Sequence, residues 1–359
     1  MVGILIIGVL LAACVILRQI DRIWFSQRRP RSLWFGKSTP VSGVQDIKRL
    51  QHQRINDVTP TLLAIGHWLE ILAWAALCTY VPLFLLPIVC IVAAVKFRQL
   101  QELTHFAVHR SLARTRRCND LLGELIFQAP LVMPPLDRRR ETHVVQHHPN
   151  ATDPQLDPNL GTLYAVGLGP SCRRLQFVRG IVYPLTLSGM WETARQLCAN
   201  ARCPRSVRYV RCLPIVVILL VAAVGGVRGV ITVLVVPRLV LYPYLSWMSL
   251  LVEHRWFSAP APQPTRQALE AERCVRLYRT RRILEAVARM TWLPYGDIFH
   301  YAHSVYPSIR WNYLRDVDKM LAFPRSSYSA VFWGRSSVIA GLYQDTVTPV
   351  LVQSVATRS

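Results

Sequence analysis

The amino-acid sequence predicts an all-α fold: a polytopic membrane helical bundle of two transmembrane hairpins and an N-terminal anchor helix, with a cytoplasmic helical cap. Three observations predict it. Hydrophobic residues make up 52% of the 359 and gather into blocks rather than recurring periodically, as membrane-spanning segments do. Charges are sparse inside the blocks, while arginines crowd the segments between them. The formal charge of +22 and the pI near 10.3 therefore sit where cytoplasmic loops of a membrane protein carry theirs. On a soluble chain such a charge would suggest nucleic acid. Flanking apolar blocks, it reads as topology plus contact with membrane lipid through anionic headgroups, and no nucleic-acid partner is expected.

MVGILIIGVLLAACVIL, residues 1–17, is closed by Arg18. No basic region precedes it and no small-residue cleavage site follows, so it reads as an anchor helix rather than a signal peptide. Residues 18–60 carry nine Lys or Arg and read as a basic cytoplasmic connection. From Thr61 to Val95 the chain is apolar apart from His67 and Glu70, long enough for a tight helical hairpin. Its turn, around Tyr80-Val81-Pro82, holds no charge, as expected of the outer side. The second helix then leaves the bilayer through Lys96 and Arg98.

Residues 97–211 are mostly polar, with softer apolar stretches at 120–133 and 174–190 that look interfacial or core-facing. A second hairpin covers 212–252 and turns near Gly225-Gly226. Arginine at membrane depth is costly, so Arg238 favours a span boundary that leaves it outside. Each hairpin returns the chain to the side it left. Residues 97–211 and 253–359 thus share one compartment, which their arginines make the cytoplasm. Nine cysteines are scattered without C-x-x-C and read as reduced packing residues. FGKST at 35–39 imitates a phosphate-binding loop, but Arg31 stands where that loop requires glycine.

Eight of the ten histidines fall in the cytoplasmic portion, in four groups. HFAVH places His105 and His109 one helical turn apart on one face. HVVQHH repeats that spacing with His143 and His147, and His148 turns aside by about 100° towards a neighbouring helix or a second ion. His254 follows the last span in LVEHRW, and FHYAHS holds His300 and His303. One such pair arises often by chance; His52 and His67, each alone, read as surface or packing residues. Four groups at one end of two hairpins are a different matter. Imidazole suits iron, zinc, copper or nickel, and eight exceed the needs of one ion, so the economical reading is two.

HFAVH, HVVQHH and HYAHSVYPS, with a membrane hairpin between the second and third, resemble the histidine boxes of the membrane fatty-acid desaturase and hydroxylase superfamily. Arg140 before the second box and YPSIRWNYL after the third fit the flanks of those boxes. The stretch of Glu253-His254, AERCVRLYRTRR and LPYGDIFHYAH is similar to one bacterial branch, which implies a bacterial inner membrane. The resemblance implies a desaturase-like membrane domain over 61–315, followed by a C-terminal cytoplasmic tail over 316–359. It implies as metal ligands His105, His109, His143, His147, His148, His254, His300 and His303, with His254 matching an extra ligand of the related acyl-CoA desaturases. One departure stands out: Ser304 occupies the position of a second adjacent histidine in box three. Serine is a poor iron ligand, and water, Asp297 or Glu253 could fill the gap.

What the resemblance implies chemically is a non-haem di-iron centre that activates O2. Electrons would come from an external donor (a ferredoxin, cytochrome or reductase) docking on the arginine-rich face. The substrate would be an acyl chain or lipid-like molecule, with a double bond as the product. Glu102, Glu141, Asp153, Asp157, Glu253 and Asp297 are candidates to orient the imidazoles from outside the ligand shell. Two other readings stand beside this one: a hydroxylase or oxygenase of the same superfamily acting on a lipid or small biosynthetic intermediate, and a non-catalytic descendant in which Ser304 is a vacated ligand.

Overall fold

The computed structural model describes residues 2–20, 43–52, 57–205, 208–258, 263–278, 280–321 and 331–347. FGKST, most of the basic connection and the end of the tail lie outside the described residues. Among those described, the chain is helical throughout, with one isolated backbone bridge and no strand. Three helical stretches, Val58–Leu77, Leu83–Val108 and Val210–Glu253, are long and apolar enough to cross a membrane.

Helix α1 (Val2–Ile20) packs along α3 (Val58–Leu77), and α2 (Val44–Gln51) is a short amphipathic helix between them in sequence. Gly3 lies against the Tyr80 ring, so close that a Cβ there would collide, while the Cys14 thiol donates to Glu70 Oε1 over 3.0 Å. Helix α1 therefore runs antiparallel to α3, with its N-terminus beside the first hairpin's turn. The Tyr80 and Val81 amides donate back to Leu77 O over 2.9 and 3.2 Å, closing that turn where the sequence places it. Proline at the second helical position then opens α4 (Leu86–Val108), where its missing N–H costs nothing.

Lys96 and Arg98 both find partners inside the bundle. Lys96 pairs with Glu70 of α3, and Arg98 is 3% exposed among carboxylates. Cations within apolar helices persist when paired inside the bundle, and these two are. Helix α4 continues to Val108, with Phe97, Leu100, Leu103 and Phe106 fully buried on its core face.

The second hairpin begins with α5 (Leu213–Val230) and returns through two wide turns, Ile231–Val235 and Pro237–Leu241, into α6 (Tyr242–Glu253). The break is Gly226, with φ 59° and ψ −164°, backbone angles that glycine alone adopts readily. Gly225 lets the chain touch α3, where a Cβ would stand 2.4 Å from Ala75 O. Beyond the break, Arg228 donates to Val81 O, so both reversals sit at the end away from the histidines. Arg238 lies within the long helical stretch Val210–Glu253. It donates to Leu131 O over 2.9 Å, contacts Met133 Sδ and lies over the Tyr242 ring. Its charge thereby pins the apolar segment around 131–133, which Arg205 also holds through Glu124 and Met133 O.

The cap is built of further helices, among them α7 (Arg266–Arg273), α8 (His300–Val305), α9 (Trp311–Met320) and α10 (Val338–Val347). Arg310, at the start of α9, anchors this part to the first box. Its guanidinium donates to Leu112 O over 3.0 Å and its amide to Gln51 Oε1 of α2. The apolar side chains Leu175, Val178 and Leu187 of the 174–190 region are exposed, which suits an interfacial segment.

Candidate metal centre

The helix end of α4 carries the first box beyond its last apolar turn. His105 and His109 share one face there, with Nε2 atoms 3.1 Å apart. Box two lies on a helix whose middle, Glu141–His147, is a wide π-turn. That turn changes the pairing expected from α-helical spacing. In a π-turn the hydrogen bonds run from i to i+5, so His143 and His148 come to one face. His143 Nε2 is 2.7 Å from His105 Nε2, and His148 Nε2 is 3.3 Å from His109 Nε2. The residue that turns aside is His147, not His148; its ring faces His254 with centroids 5.4 Å apart.

Box three divides in the same way. His303 lies 4.7 and 4.5 Å, ring to ring, from His105 and His109. His300 points instead to His254, with their Nε2 atoms 3.1 Å apart. Two groups result. Ligand atoms of His105, His109, His143 and His303 all lie within 4.8 Å of one another, and so do those of His254, His300 and Cys274. A third set at the same spacing, His147, Glu253 and His254, joins the second group.

These residues fit a metal. Imidazole nitrogens bound at 2.0–2.1 Å around a tetrahedral ion stand about 3.3 Å apart, close to the spacings seen here. Nε2 of His147 and both ring nitrogens of His303 are buried with no hydrogen-bond partner among the described residues, and an ion could supply His147 Nε2 and one His303 nitrogen with a partner. Burial, followed by repulsion from charged neighbours, pushes His109, His143, His148, His254, His300 and His303 well below the usual histidine range. They are neutral near pH 7, the form that binds metal.

The surroundings orient the rings. Glu102 Oε1 lies 3.1 Å from His105 Nδ1, and Asp157 Oδ1 lies 2.8 Å from His147 Nδ1. A proton on each Nδ1 leaves Nε2 with its lone pair facing inward. Arg98 bonds Glu102, Asp297 and Ser249, joining α4, the approach to box three and α6 beneath the site. Burial pushes Asp297 up to about 7, against the downward pull of Arg98. Arg140 donates to Ala107 O and Val108 O at the end of α4, and so ties box two to box one.

Not every candidate arrives. Glu141 is exposed, and Asp153 Oδ1 accepts from the Gln155 and Leu156 amides, so neither is brought to an imidazole. Ser304 is at the site, with Oγ 3.2 Å from His300 Nε2. Cys274 is the residue that sequence reasoning passed over. It is fully buried, with Sγ 3.5 Å from His254 Nδ1. Its only signal was its place in AERCVRLYRTRR, between His254 and box three.

No curated protein matches the chain. A family model described as fatty acid desaturase matches residues 81–334, from the first hairpin's turn through all the histidine groups. That family is one of desaturase-type oxidoreductases, and with three long apolar helices it marks an integral membrane protein associated with lipid or acyl substrates. The chain belongs to the fatty acid desaturase family.

Proposed function

We propose that the protein is a membrane-bound, O2-dependent oxidoreductase that introduces a double bond into an acyl chain or lipid-like substrate. The observation that carries this reading is the convergence of eight buried or half-buried histidines at the end of two apolar hairpins, with Nε2 contacts of 2.7–3.3 Å. His105, His109, His143 and His303 would hold one ion, His147, His254 and His300 the other, and His148 lies beside the first group. Two iron ions would supply, with O2 and two electrons from an external donor, the removal of hydrogen from unactivated C–H bonds.

The chain's own residues fix the site for that chemistry. Glu102 and Asp157 set the tautomers of His105 and His147. The apolar side chains around α4 and α8 exclude water, which strengthens every electrostatic interaction inside. The arginine-rich segments lie on the histidine side of both hairpins, which favours the cytoplasmic side of a bacterial inner membrane. The same arginines suit docking of an acidic ferredoxin, cytochrome or reductase.

Iron quantification on anaerobically purified protein tests the reading. Two irons per chain are expected, and a folded chain that takes up no iron overturns it. Product analysis with a reductant and acyl substrates should then give an alkene; an alcohol as sole product would make it a hydroxylase.

A further inference from the structure

The second histidine group contains a sulfur. His254 and Cys274 are far apart in sequence but face each other across an antiparallel backbone bridge. Arg255 N donates to Arg273 O over 2.7 Å, and both bridge residues have extended backbones. Residues opposed in this way have Cβ atoms about 4.5–5.5 Å apart, which sets the thiol beside the imidazole. The thiol is fully buried, yet it does not rest among apolar groups alone. It meets His254 Nδ1 and Glu270 Oε2, each at 3.5 Å, and the Ser304 hydroxyl.

Ser304 makes the arrangement informative. Its hydroxyl reaches both the Cys274 sulfur and His300 Nε2. The sulfur therefore borders the space that a histidine side chain at position 304 would occupy. Arg266 fixes this neighbourhood by donating to Ser304 O over 2.8 Å, which binds α7 to α8. Sulfur binds metal at about 2.3 Å, longer than the roughly 2.0–2.1 Å of imidazole nitrogen. It can thus serve an ion from a slightly more distant backbone.

We infer that Cys274 is a metal ligand of this chain: its thiolate, with His254 and His300, holds the ion from which Ser304 withholds a histidine. The metal–sulfur bond forms as the thiol proton passes to solvent, and no oxidant or reductant is consumed. The centre then has one all-imidazole ion and one ion with a softer, electron-rich ligand. This inference rests on the metal-centre reading above, and its test separates the two.

The experiment loads the full-length protein in detergent with cobalt(II) under anaerobic conditions and records metal content, near-ultraviolet absorption and cobalt-edge X-ray absorption. Two cobalt ions per chain, a sulfur-to-cobalt charge-transfer band and a sulfur scatterer near about 2.3 Å are expected. Cys274→Ala should abolish the band and lower the metal content to about one ion. Ser304→His in the Cys274→Ala background should restore the metal without the band. Two ions bound by nitrogen and oxygen alone in the unmodified protein overturn this inference and leave the metal centre standing. No bound metal at all sinks both. The X-ray measurement needs no variant, so a misfolded Cys274→Ala chain leaves the decision intact.

Discussion

The group of His105, His109, His143 and His303 is placed by helices, whereas the group of His147, His254 and His300 depends on irregular backbone for its central member, His254. In the first, α4 and α8 present their residues at helical spacing and box two contributes from its π-turn. In the second, His254 is extended (φ −133°, ψ 164°) and is held by the bridge to Cys274. Only the first group consists of imidazoles alone; a thiol and the Glu253 carboxylate lie within ligand distance in the second. The difference teaches that a histidine-rich centre need not be chemically symmetric. The helical half supplies four like donors, and in the other half the extended backbone at His254 sets a thiol beside the imidazoles.

Acid should produce the largest effect and should strike the helical half hardest. His109, His143, His148 and His303 lie in or beside it, against His254 and His300 in the other, all with pKa values below the ordinary 6.5. The sign follows from linkage. Below pH 6.5 the unfolded chain takes up protons that the folded site refuses, so stability is present above that pH and is lost as pH falls towards the folded values. Each histidine can cost up to about 1.4 kcal/mol per pH unit in that window. Thermal unfolding of the metal-free protein should therefore shift down between about pH 7 and about pH 5, and bound metal should delay the loss. Equal midpoints at both pH values would show that the imidazoles protonate in place.

Arg98 tests the joint between the halves. It bonds Glu102, which touches His105 of the first group, and Asp297, three residues before His300 of the second. Arg98→Leu leaves both carboxylates buried without their cation. Breaking a buried pair in this way costs about 3–5 kcal/mol, and unfolding in detergent with and without metal measures it. A loss of less than about 1 kcal/mol, the scale of an exposed pair, would mean that the halves are positioned independently.

Much of this was legible in the sequence, and the reason differs between the halves. Apolar blocks and arginine placement gave the hairpins, the charge-free turn at Tyr80-Val81-Pro82 and the histidine end. Helical periodicity correctly paired His105 with His109 because α4 stays regular to Val108. The same rule mispaired box two, since nothing local in ETHVVQH announces a π-turn. The rule about lipid could not show that Arg238 meets a carbonyl and a thioether of the 131–133 segment and the ring of Tyr242 in its own helix. Cys274 escaped for the most general reason: its meaning depends on a bridge to a residue twenty positions earlier.

The smallest effect should come from the carboxylates that orient single rings, and it separates them from lookalikes. Asp157→Asn keeps the side-chain shape and can still accept the Thr152 amide, but it removes the charge that favours a proton on His147 Nδ1. Glu102→Gln does the same to His105 in the other half. Each should lower metal affinity by about 10–100-fold, the usual cost of losing a carboxylate behind a metal-bound histidine. If the halves bind separate ions, competition titration should show one weakened ion and one unchanged in each variant. Glu141→Gln, at an exposed position two residues before box two, should leave both affinities and the stability within about 0.5 kcal/mol of the original. Should Glu141→Gln weaken an ion as much as Asp157→Asn, closeness in sequence would matter more than the hydrogen bond, and the assignment of Asp157 to His147 would fall.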